Sequence, residues 1–397
     1  MSNRDFTHSL QLPELKILGR KSKKNYLLFF LEKDSEFEVC PKCATPSKSI
    51  HDHVHIHIRD TPIRDKRVHL DIRKRRFRCK NKTCGGVFTE PVQGISKGHR
   101  TTDRFRRHIM WTADNFANLS DVRKQLGCSS WLVHTAYYEQ LEKQVRKIQN
   151  PWATTIGIDE HAIKRSQNKR YREFGTIFVE YSHKRIREII KGRSPGELFD
   201  DERLKRIPGR ERVRNVIIDL SKSYHRFARD FFPNANIIAD RFHVIRLFNQ
   251  ILNKYRKDET GDIRSNPIRK LILKKQSRLD SYVKKAVREW LRERPMLKEI
   301  YNFKERIHGF YGIKGLSRAK KILTKITDDM AQSKIPEIQR LRRTLVSWRE
   351  EILNFFENRL TNGRTEGFNR KAKLIQRNAY GYKNIENYRL RLLYSCK

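Results

Sequence analysis

Apolar and polar residues follow distinct patterns along this chain, and each pattern predicts a different kind of element. Residues 51–58 alternate strictly, which places apolar side chains on one face of a strand and four histidines on the other. Residues 68–72 repeat this period of two, so the two segments are predicted to pair as a hairpin that turns near Thr61-Pro62. The first hundred residues are therefore expected to form strands and turns.

Helical spacing begins after residue 100. One short apolar helix is predicted to end at Gly127, and Ser129 can cap the helix that follows. This is the spacing of a helix-turn-helix, in which Trp131 and His134 would be available to the major groove of DNA. An ordinary helical hairpin has the same spacing and remains the alternative.

Between residues 151 and 243, short apolar runs predict five strands and a helix. In chain order they are strands 154–159, 174–179, 185–190 and 214–219, helix 224–232 and strand 237–239. Three antiparallel strands followed by helix–strand alternation is the order of a ribonuclease H-like fold, in which the ends of the first and fourth strands are adjacent. Residues 244–358 are predicted to be almost wholly helical, and residues 359–397 to form a turn and one or two basic helices.

The composition adds a strong positive charge to this picture. Lys and Arg number 88 against 45 acidic residues, which gives a formal net charge of +43. A charge of that size repels itself unless a polyanion neutralises it, and nucleic acid is the obvious polyanion. No apolar run approaches 18 residues and no secretory pattern is found, so we expect a soluble intracellular protein with no membrane partner.

Four of the six cysteines fall into two pairs that predict a metal site. Cys40 and Cys43 are separated by two residues, Cys79 and Cys84 by four, and the predicted hairpin lies between the pairs. Two such knuckles give the tetrahedral sulfur ligation of structural Zn²⁺. The longer second knuckle weakens the match, and four reduced cysteines in a cytosolic protein are the alternative.

A run of cations lies within the same segment. Arg73, Lys74, Arg75 and Arg76 on a ribbon would form a surface that contacts the phosphate backbone of DNA. A charge run is usually only a solvated face, but this one belongs to a very basic chain.

Two apolar runs each end in an Asp, and a late helix begins with a Glu. These acids are Asp159, Asp219 and Glu366, and the last shares one helix face with Arg370 and Lys373. Three hard oxygen ligands suit two Mg²⁺ ions, which clamp the attacking and leaving oxygens of a phosphodiester displacement. Taken singly, a strand-end Asp often caps a turn, and a first-turn Glu complements the helix dipole. Only the combination of the three favours catalysis.

Together these motifs resemble the DDE transposases of the ISL3 insertion-sequence family, which are related to the Mutator-like transposases. Besides the cysteine pairs and the helix-turn-helix, the resemblance is carried by segments 157–160, 219–224, 362–369 and 377–384. It implies an α+β multidomain chain: a zinc ribbon, a helix-turn-helix, and a ribonuclease H-like core interrupted by an all-helical insertion. The expected domains are residues 1–98, 99–150, 151–243, 244–360 and 361–397.

The resemblance also implies roles for particular residues. Asp159, Asp219 and Glu366 would bind Mg²⁺ or Mn²⁺ as a catalytic triad. Asp240 and His243 look like the Asp/Cys-x-x-His signature that lies next to the active site in the related group. Asp240 therefore competes with Asp219 for the second catalytic position, and Asp219 is favoured. The alternative is that Asp240 only caps a helix whose first turn contains His243.

The function implied by the resemblance is transposition. The ribbon and helix-turn-helix would bind terminal inverted repeats, and the metal site would cut the element end and join its 3′-hydroxyl to target DNA. Pairing two ends requires at least a dimer, and the expected location is the bacterial cytoplasm at the nucleoid. The alternatives are a ribonuclease H-like nuclease that cuts without strand transfer and a regulator that only binds DNA.

Overall fold

The chain divides into two compact units, Met1–Gln144 and Val145–Lys397. The computed structural model describes residues 10, 12–147, 150–165, 172–261 and 267–396. The first nine residues of the predicted N-terminal segment therefore lie outside the described residues. Within the described part of the chain, no helix is long and apolar enough to cross a membrane.

In the described part of the first unit there are seven strands. Their bounds are β1 Leu15–Ser22, β2 Tyr26–Lys33, β3 Glu38–Val39, β4 Pro46–Ser47, β5 Ile50–Ile63, β6 Lys66–Arg78 and β7 Val87–Thr89. Five of them form one sheet in the order β1–β2–β6–β5, with β7 also paired to β6. The alternating Val68, Leu70 and Ile72 of β6 are buried in the core of this sheet. The predicted hairpin of β5 and β6 is confirmed.

The hairpin turns at Arg64 and Asp65, so the prediction of a turn at Thr61-Pro62 is wrong. Both turn residues have positive φ, 47° and 62°, as the favoured two-residue hairpin turn requires. Pro62 instead lies within β5, where the pairing with β6 shifts register after Asp60. A proline cannot donate to the ladder, but it is tolerated at such an irregularity. Pro62 therefore did not mark the turn.

Among the described residues of the first unit, three helices follow the strands. They are α1 Asp103–Asp114, α2 Leu119–Leu126 and α3 Ser130–Arg146. Gly127 ends α2 with a left-handed φ of 57°, and a Cβ at this position would lie 2.1 Å from the Arg67 guanidinium. Ser129 Oγ accepts the Leu132 N–H at 3.2 Å, which confirms the predicted cap of α3.

A second sheet forms the centre of the second unit. Its strands are β8 Thr155–Arg165, β9 Arg172–Glu180, β10 Arg185–Lys191, β11 Asn215–Ile218 and β12 Asn236–Ala239. The spatial order is β10–β9–β8–β11–β12; β8, β9 and β10 pair antiparallel, and β11 pairs parallel with both β8 and β12. The strands lie where the apolar runs predict them. However, β8 continues to Arg165, so Asp159 lies inside this strand and the prediction that it ends there is wrong.

Helices make up most of the second unit. They are α4 Pro195–Phe199, α5 Glu202–Arg206, α6 Lys222–Phe231, α7 Arg241–Thr260, α8 Pro267–Leu273, α9 Ser281–Arg292, α10 Pro295–Phe310, α11 Leu316–Ala331, α12 Pro336–Ser347, α13 Arg349–Asn358, α14 Gly363–Asn378 and α15 Ile385–Ser395. Within the region predicted to be almost wholly helical, α12 and α13 follow each other directly. The chain bends at Trp348, whose backbone leaves the helical region (φ −110°, ψ 22°) and whose side chain is buried.

One apolar core joins this sheet to the helices α7–α13. Ile238 of β12, Phe248 of α7 and Leu323 of α11 belong to the same buried cluster. α13 packs against β12, where Asn354 Nδ2 donates to Ile237 O at 2.8 Å. The helical region and the sheet are therefore stabilised by the same burial of apolar surface.

A second cluster covers the opposite side of the sheet. Ala372 of α14 and Tyr388 of α15 are buried there with Ile177 and Ile189 of the strands. Phe368, one turn before Ala372 on the same face of α14, also packs against this cluster.

Gly157 of β8 allows α14 to approach closely. A Cβ at Gly157 would lie 2.1 Å from Thr365 Oγ1 and 2.9 Å from the Tyr181 ring. We expect Gly157→Ala to lower the free energy of unfolding by about 1–3 kcal/mol, because α14 must shift. Urea unfolding measures this. Gly196→Ala is the matched control because no atom lies within 4 Å of a Cβ there; equal losses in the two variants would contradict the explanation.

Candidate active site

Asp159 is held between its own strand and α14. Asn369 Nδ2 donates to Asp159 Oδ2 at 2.6 Å, and the Glu160 N–H donates to Asp159 Oδ1 at 2.8 Å. His161, two residues further along β8, lies on the same face of the strand and contacts Tyr388 of α15. The carboxylate of Asp159 therefore has a fixed orientation on the sheet.

A cleft of about 560 Å³ opens beside this carboxylate. Asp219 and Asp240 line it because they directly follow β11 and β12, two neighbouring parallel strands. Glu366, from the first turn of α14, lines it as well. The sequence-predicted cations Arg370 and Lys373 also lie along this cleft, with His243, Arg241 and Arg246.

Burial disfavours the charged forms of the three aspartates that line this cleft. It raises the pKa of Asp159 to about 6, and the neighbouring Asp219 adds to this shift, whereas the Glu160 N–H, His243 and Asn369 oppose it. Burial raises the pKa of Asp219 as well. In the part of the chain that the structure describes, neither carboxylate forms an ion pair with Lys or Arg. Two neighbouring, partly buried carboxylates without such a partner favour the binding of a divalent cation.

The raised pKa of Asp159 has a measurable cost to stability. A carboxyl whose pKa rises on folding stabilises the fold when protonated, and this contribution is lost as pH rises from about 4 through about 6. We expect Asp159→Asn, without added Mg²⁺ or Mn²⁺, to unfold with a free energy about 1–3 kcal/mol higher than wild type at pH 8. Urea unfolding of zinc-loaded protein across this pH range measures the difference, which should vanish near pH 4. A variant less stable than wild type at pH 8 would contradict the assignment.

Asp240 positions the start of α14. Its Oδ1 accepts the backbone N–H of Asn362 at 3.1 Å, and the residue is 3% exposed. Asp240 also occupies the N-cap position of α7, as the alternative interpretation expects, but its side chain makes no capping hydrogen bond to that helix. Burial raises its pKa. By contrast, Asp219 accepts only the nearby Ser221 N–H, at 3.1 Å, among the described contacts.

The Glu366 carboxylate is turned towards its own helix. Arg370 Nη2 donates to Glu366 Oε1 at 2.7 Å, and both side chains are exposed to solvent. The structure thus brings Asp159, Asp219 and Glu366 to one cleft. Among the described residues, however, only the four cysteines place three or more ligand atoms within 4.8 Å of one another.

The four cysteines form a compact cluster in the first unit. Cys43 Sγ lies 3.4 Å from Cys79 Sγ, and Cys40 Sγ lies 3.9 Å from Cys84 Sγ. These separations are close to the value of about 3.8 Å expected for a tetrahedron of sulfurs about 2.3 Å from zinc. Hydrogen bonding with Thr45 lowers the pKa of the Cys43 thiol to about 6, which favours the thiolate that zinc requires.

The predicted DNA-contacting residues differ in their environments. Trp131 is 74% exposed and His134 is exposed, as expected for residues that would enter a groove. Arg73 and Arg76 also reach the surface, although Asp52 pairs with Arg76 at 2.8 Å. Lys74 is half-buried, and this burial lowers its pKa.

The environment of Arg75 contradicts the expectation that all four cations of residues 73–76 face the phosphate backbone of DNA. Its guanidinium donates to Glu90, which is fully buried, at 2.8 Å and 2.9 Å, and also to the Ser35 backbone and hydroxyl. The buried Glu90 requires this partner, so Arg75 holds β6 to the residues after β7 rather than facing DNA.

Sequence reasoning assigned no role to Asn369 or His161. Asn369 follows Glu366 by three residues, which places it one helical turn later on the side facing β8. His161 is fully buried, with Nε2 2.6 Å from Tyr388 Oη, and burial lowers its pKa to about 4. The period-two spacing of 157, 159 and 161 was the available signal, because those three positions share one face of a strand.

Comparisons with known proteins agree with this architecture. A family model of the DDE transposases of the ISL3 type, described as "Transposase", matches residues 156–392. A second model, described as "zinc-finger of transposase IS204/IS1001/IS1096/IS1165", matches residues 36–84. The chain therefore belongs to the ISL3 family of transposases, and it is a DNA-binding enzyme with transposase activity.

A particular relative extends this match over most of the chain. The protein is similar to the "Transposase for insertion sequence element IS1001" of Bordetella parapertussis, with 24% identity over 378 residues. These residues cover 92% of this chain and 90% of the relative. The zinc-finger match and the four-cysteine cluster together support a structural Zn²⁺ in the first unit.

Proposed function

We propose that the second unit has a ribonuclease H-like core in which Asp159, Asp219 and Glu366 form the catalytic DDE triad. The observation that carries this proposal is the cleft that collects these three acids from β8, β11 and α14. The sheet order β10–β9–β8–β11–β12, with three antiparallel strands followed by two parallel ones, supports the fold assignment. Residues 151–243 and 361–397 would constitute the core, and residues 244–360 its helical insertion.

The residues of the cleft suit Mg²⁺ or Mn²⁺. Carboxylate oxygens are the ligands that these hard cations prefer, and Asp159 and Asp219 have no basic partner of their own among the described residues. When bound, the ions supply neutralisation of the charge that develops on the scissile phosphate. To join the other two acids, the Glu366 side chain would leave Arg370, whose guanidinium would then be free to contact a phosphate.

Other residues of the cleft would position the triad. Asn369 fixes one oxygen of Asp159, which leaves the orientation of the carboxylate defined before a metal binds. Asp240 fixes the N-terminus of α14 and hence Glu366. We therefore assign the second catalytic position to Asp219 and a positioning role to Asp240.

The first unit would recognise DNA. We infer that residues 99–150 form a helix-turn-helix whose exposed Trp131 and His134 enter the major groove, and that the ribbon, within residues 1–98, contacts phosphates through Arg73, Lys74 and Arg76. The sites bound would be the terminal inverted repeats of the element. Because two ends must be paired, the active form would be at least a dimer.

Strand transfer distinguishes this function from that of a nuclease of the same fold. The test uses DNA ends that are already cut, supplied with a circular target and Mg²⁺. A transposase joins the 3′-hydroxyl of the end to the target, and the joined product migrates as a larger species. Cleavage of uncut ends without joined products would instead support the nuclease. Binding without either reaction would support the regulator.

A further inference from the structure

The exposed side of α14 carries a stripe that begins in the cleft and leaves it. At 3.6 residues per turn, the side chains of Glu366, Arg370, Lys373 and Arg377 point within about 60° of one another around the helix. The three cations are exposed. Among the described residues, no acid pairs with Lys373 or Arg377, so their charges are available to a polyanion.

Tyr380 continues this stripe just beyond the helix. Its side chain is 93% exposed, more than any other large hydrophobic residue that the structure describes. Gly381 follows it, and Lys383, also exposed, lies two residues further along. An exposed aromatic ring beside unpaired cations is the combination that binds single-stranded nucleic acid, where bases stack on rings and cations contact phosphates.

Tyr380 has a backbone conformation that is unfavourable for a residue with a side chain. The Tyr380 N–H donates to Arg377 O and the Gly381 N–H to Gln376 O, both at 2.9 Å, which is the Schellman arrangement that ends a helix. Tyr380 occupies its left-handed position with φ of 54°. Glycine is preferred at such a position because a Cβ is disfavoured there. The described contacts of the fold give no packing reason for a tyrosine, since its ring is almost wholly exposed.

We propose that Tyr380 is a stacking site for an unpaired base of the DNA strand that leaves the cleft. Arg370, Lys373 and Arg377 would follow the phosphates of that strand. The inference rests on the proposed catalytic cleft, which it extends from the scissile phosphate to the neighbouring nucleotides.

The spacing along α14 fits this strand. Glu366 and Arg377 are eleven residues apart, which is about 16 Å at a rise of about 1.5 Å per residue. In duplex DNA, successive phosphates of one strand advance by about 3.4 Å along the helix axis, so the stripe is as long as about five base pairs. An unpaired strand is more extended than this, so the stacked base would lie no more than about five nucleotides from the phosphate in the cleft.

The test compares two DNA probes, a blunt duplex and the same duplex with a single-stranded extension, by fluorescence anisotropy without added Mg²⁺. Tyr380→Gly relieves the backbone and should leave the melting temperature unchanged or higher. We expect this variant to bind the extended duplex about 5- to 100-fold more weakly, with an unchanged dependence on salt. Its affinity for the blunt duplex should stay the same, and Tyr380→Phe should bind both probes like wild type.

Two further variants separate stacking from charge. Arg377→Ala should reduce the slope of log K against log salt by about 0.7 with the extended duplex, because one phosphate contact is lost. Tyr282→Ala is the matched control, since Tyr282 is 83% exposed on α9 and should not affect either probe. Unchanged binding of the extended duplex by Tyr380→Gly would overturn the inference, and so would an equal loss with both probes.

Failure of the stacking site and failure of the catalytic proposal give different results. Asp159→Asn is used here only to test the triad, by cleavage of DNA with Mg²⁺. If Asp159→Asn still cleaved DNA while Tyr380→Gly lost the extended duplex, the stacking site would stand and the triad assignment would fail. If only Asp159→Asn behaved as expected, the triad would stand and the stacking site would fail.

Discussion

Replacing Asp159 with Asn is expected to lower the rate of DNA cleavage by on the order of 10³-fold or more, with binding of element ends retained. Asn369, which donates to the second oxygen of Asp159, would have to turn its own amide group to pair with the new NH₂ group. The new amide has nearly the same shape as the carboxylate, and its single oxygen can still accept the Glu160 N–H. It lacks the negative charge that holds a divalent cation, so transition-state stabilisation of at least about 4 kcal/mol is lost. Asp219→Asn should have a similar effect. Single-turnover cleavage with Mg²⁺ and a parallel mobility-shift assay measure the two properties.

Controls for this experiment are available within the same chain. Asp230→Asn alters an exposed acid outside the cleft, where Arg229 is its ion-pair partner, and should cleave like wild type. Asp240→Asn should cleave more slowly than wild type but retain activity, because the amide oxygen can still accept the Asn362 N–H. If Asp240→Asn were inactive and Asp219→Asn active, the second catalytic position would belong to Asp240.

Cys79→Ser is expected to reduce bound zinc from one ion per chain to none under mild chelation. Four thiolates hold the metal, and binding of zinc supplies on the order of 10 kcal/mol to the folding of such sites. Without it, the small cluster of Phe77 and Phe88 around the cysteines cannot stay closed. Hydrogen exchange should therefore become fast in residues 38–47 and 77–89, and DNA binding should weaken.

Cys128→Ser provides the control for the loss of zinc. Cys128 lies after α2, apart from the four-cysteine cluster, and its Sγ contacts only Leu126 O, at 3.7 Å, among the hydrogen bonds described. Its zinc content and exchange rates should match those of wild type. Zinc retained at full stoichiometry by Cys79→Ser would contradict the prediction. The ion would then be bound either by the cluster without this thiolate or at another place in the chain.

The features that follow from local periodicity were predictable. The strands of the second sheet lie at the apolar runs, because a buried strand between two layers excludes polar residues. The spacing of Cys40, Cys43, Cys79 and Cys84 was sufficient to predict the sulfur cluster, and the four sulfur atoms lie close together in the structure. Asp219 and Asp240 meet in one cleft because the parallel strands β11 and β12 end at the same edge of the sheet.

The features that depend on tertiary contacts were not predictable from one sequence. A run of four cations gives no sign that Arg75 serves the buried Glu90, since the partner lies on another segment. The extension of β8 beyond Asp159 depends on its pairing with β9, which tolerates polar residues in the ladder. The role of Asn369 required the distance to Asp159, and a polar residue on a basic helix attracts no notice by itself.

The apolar cluster shared by the sheet and α7–α13 bears on attempts to make a smaller enzyme. Deleting residues 244–360 would remove helices that pack against Val216, Ile238 and their neighbours, and it would expose apolar surface to water. We expect the shortened protein to aggregate and not to be an active enzyme. Shortened variants should instead remove surface turns such as the one around Gly315, where no atom crowds the backbone.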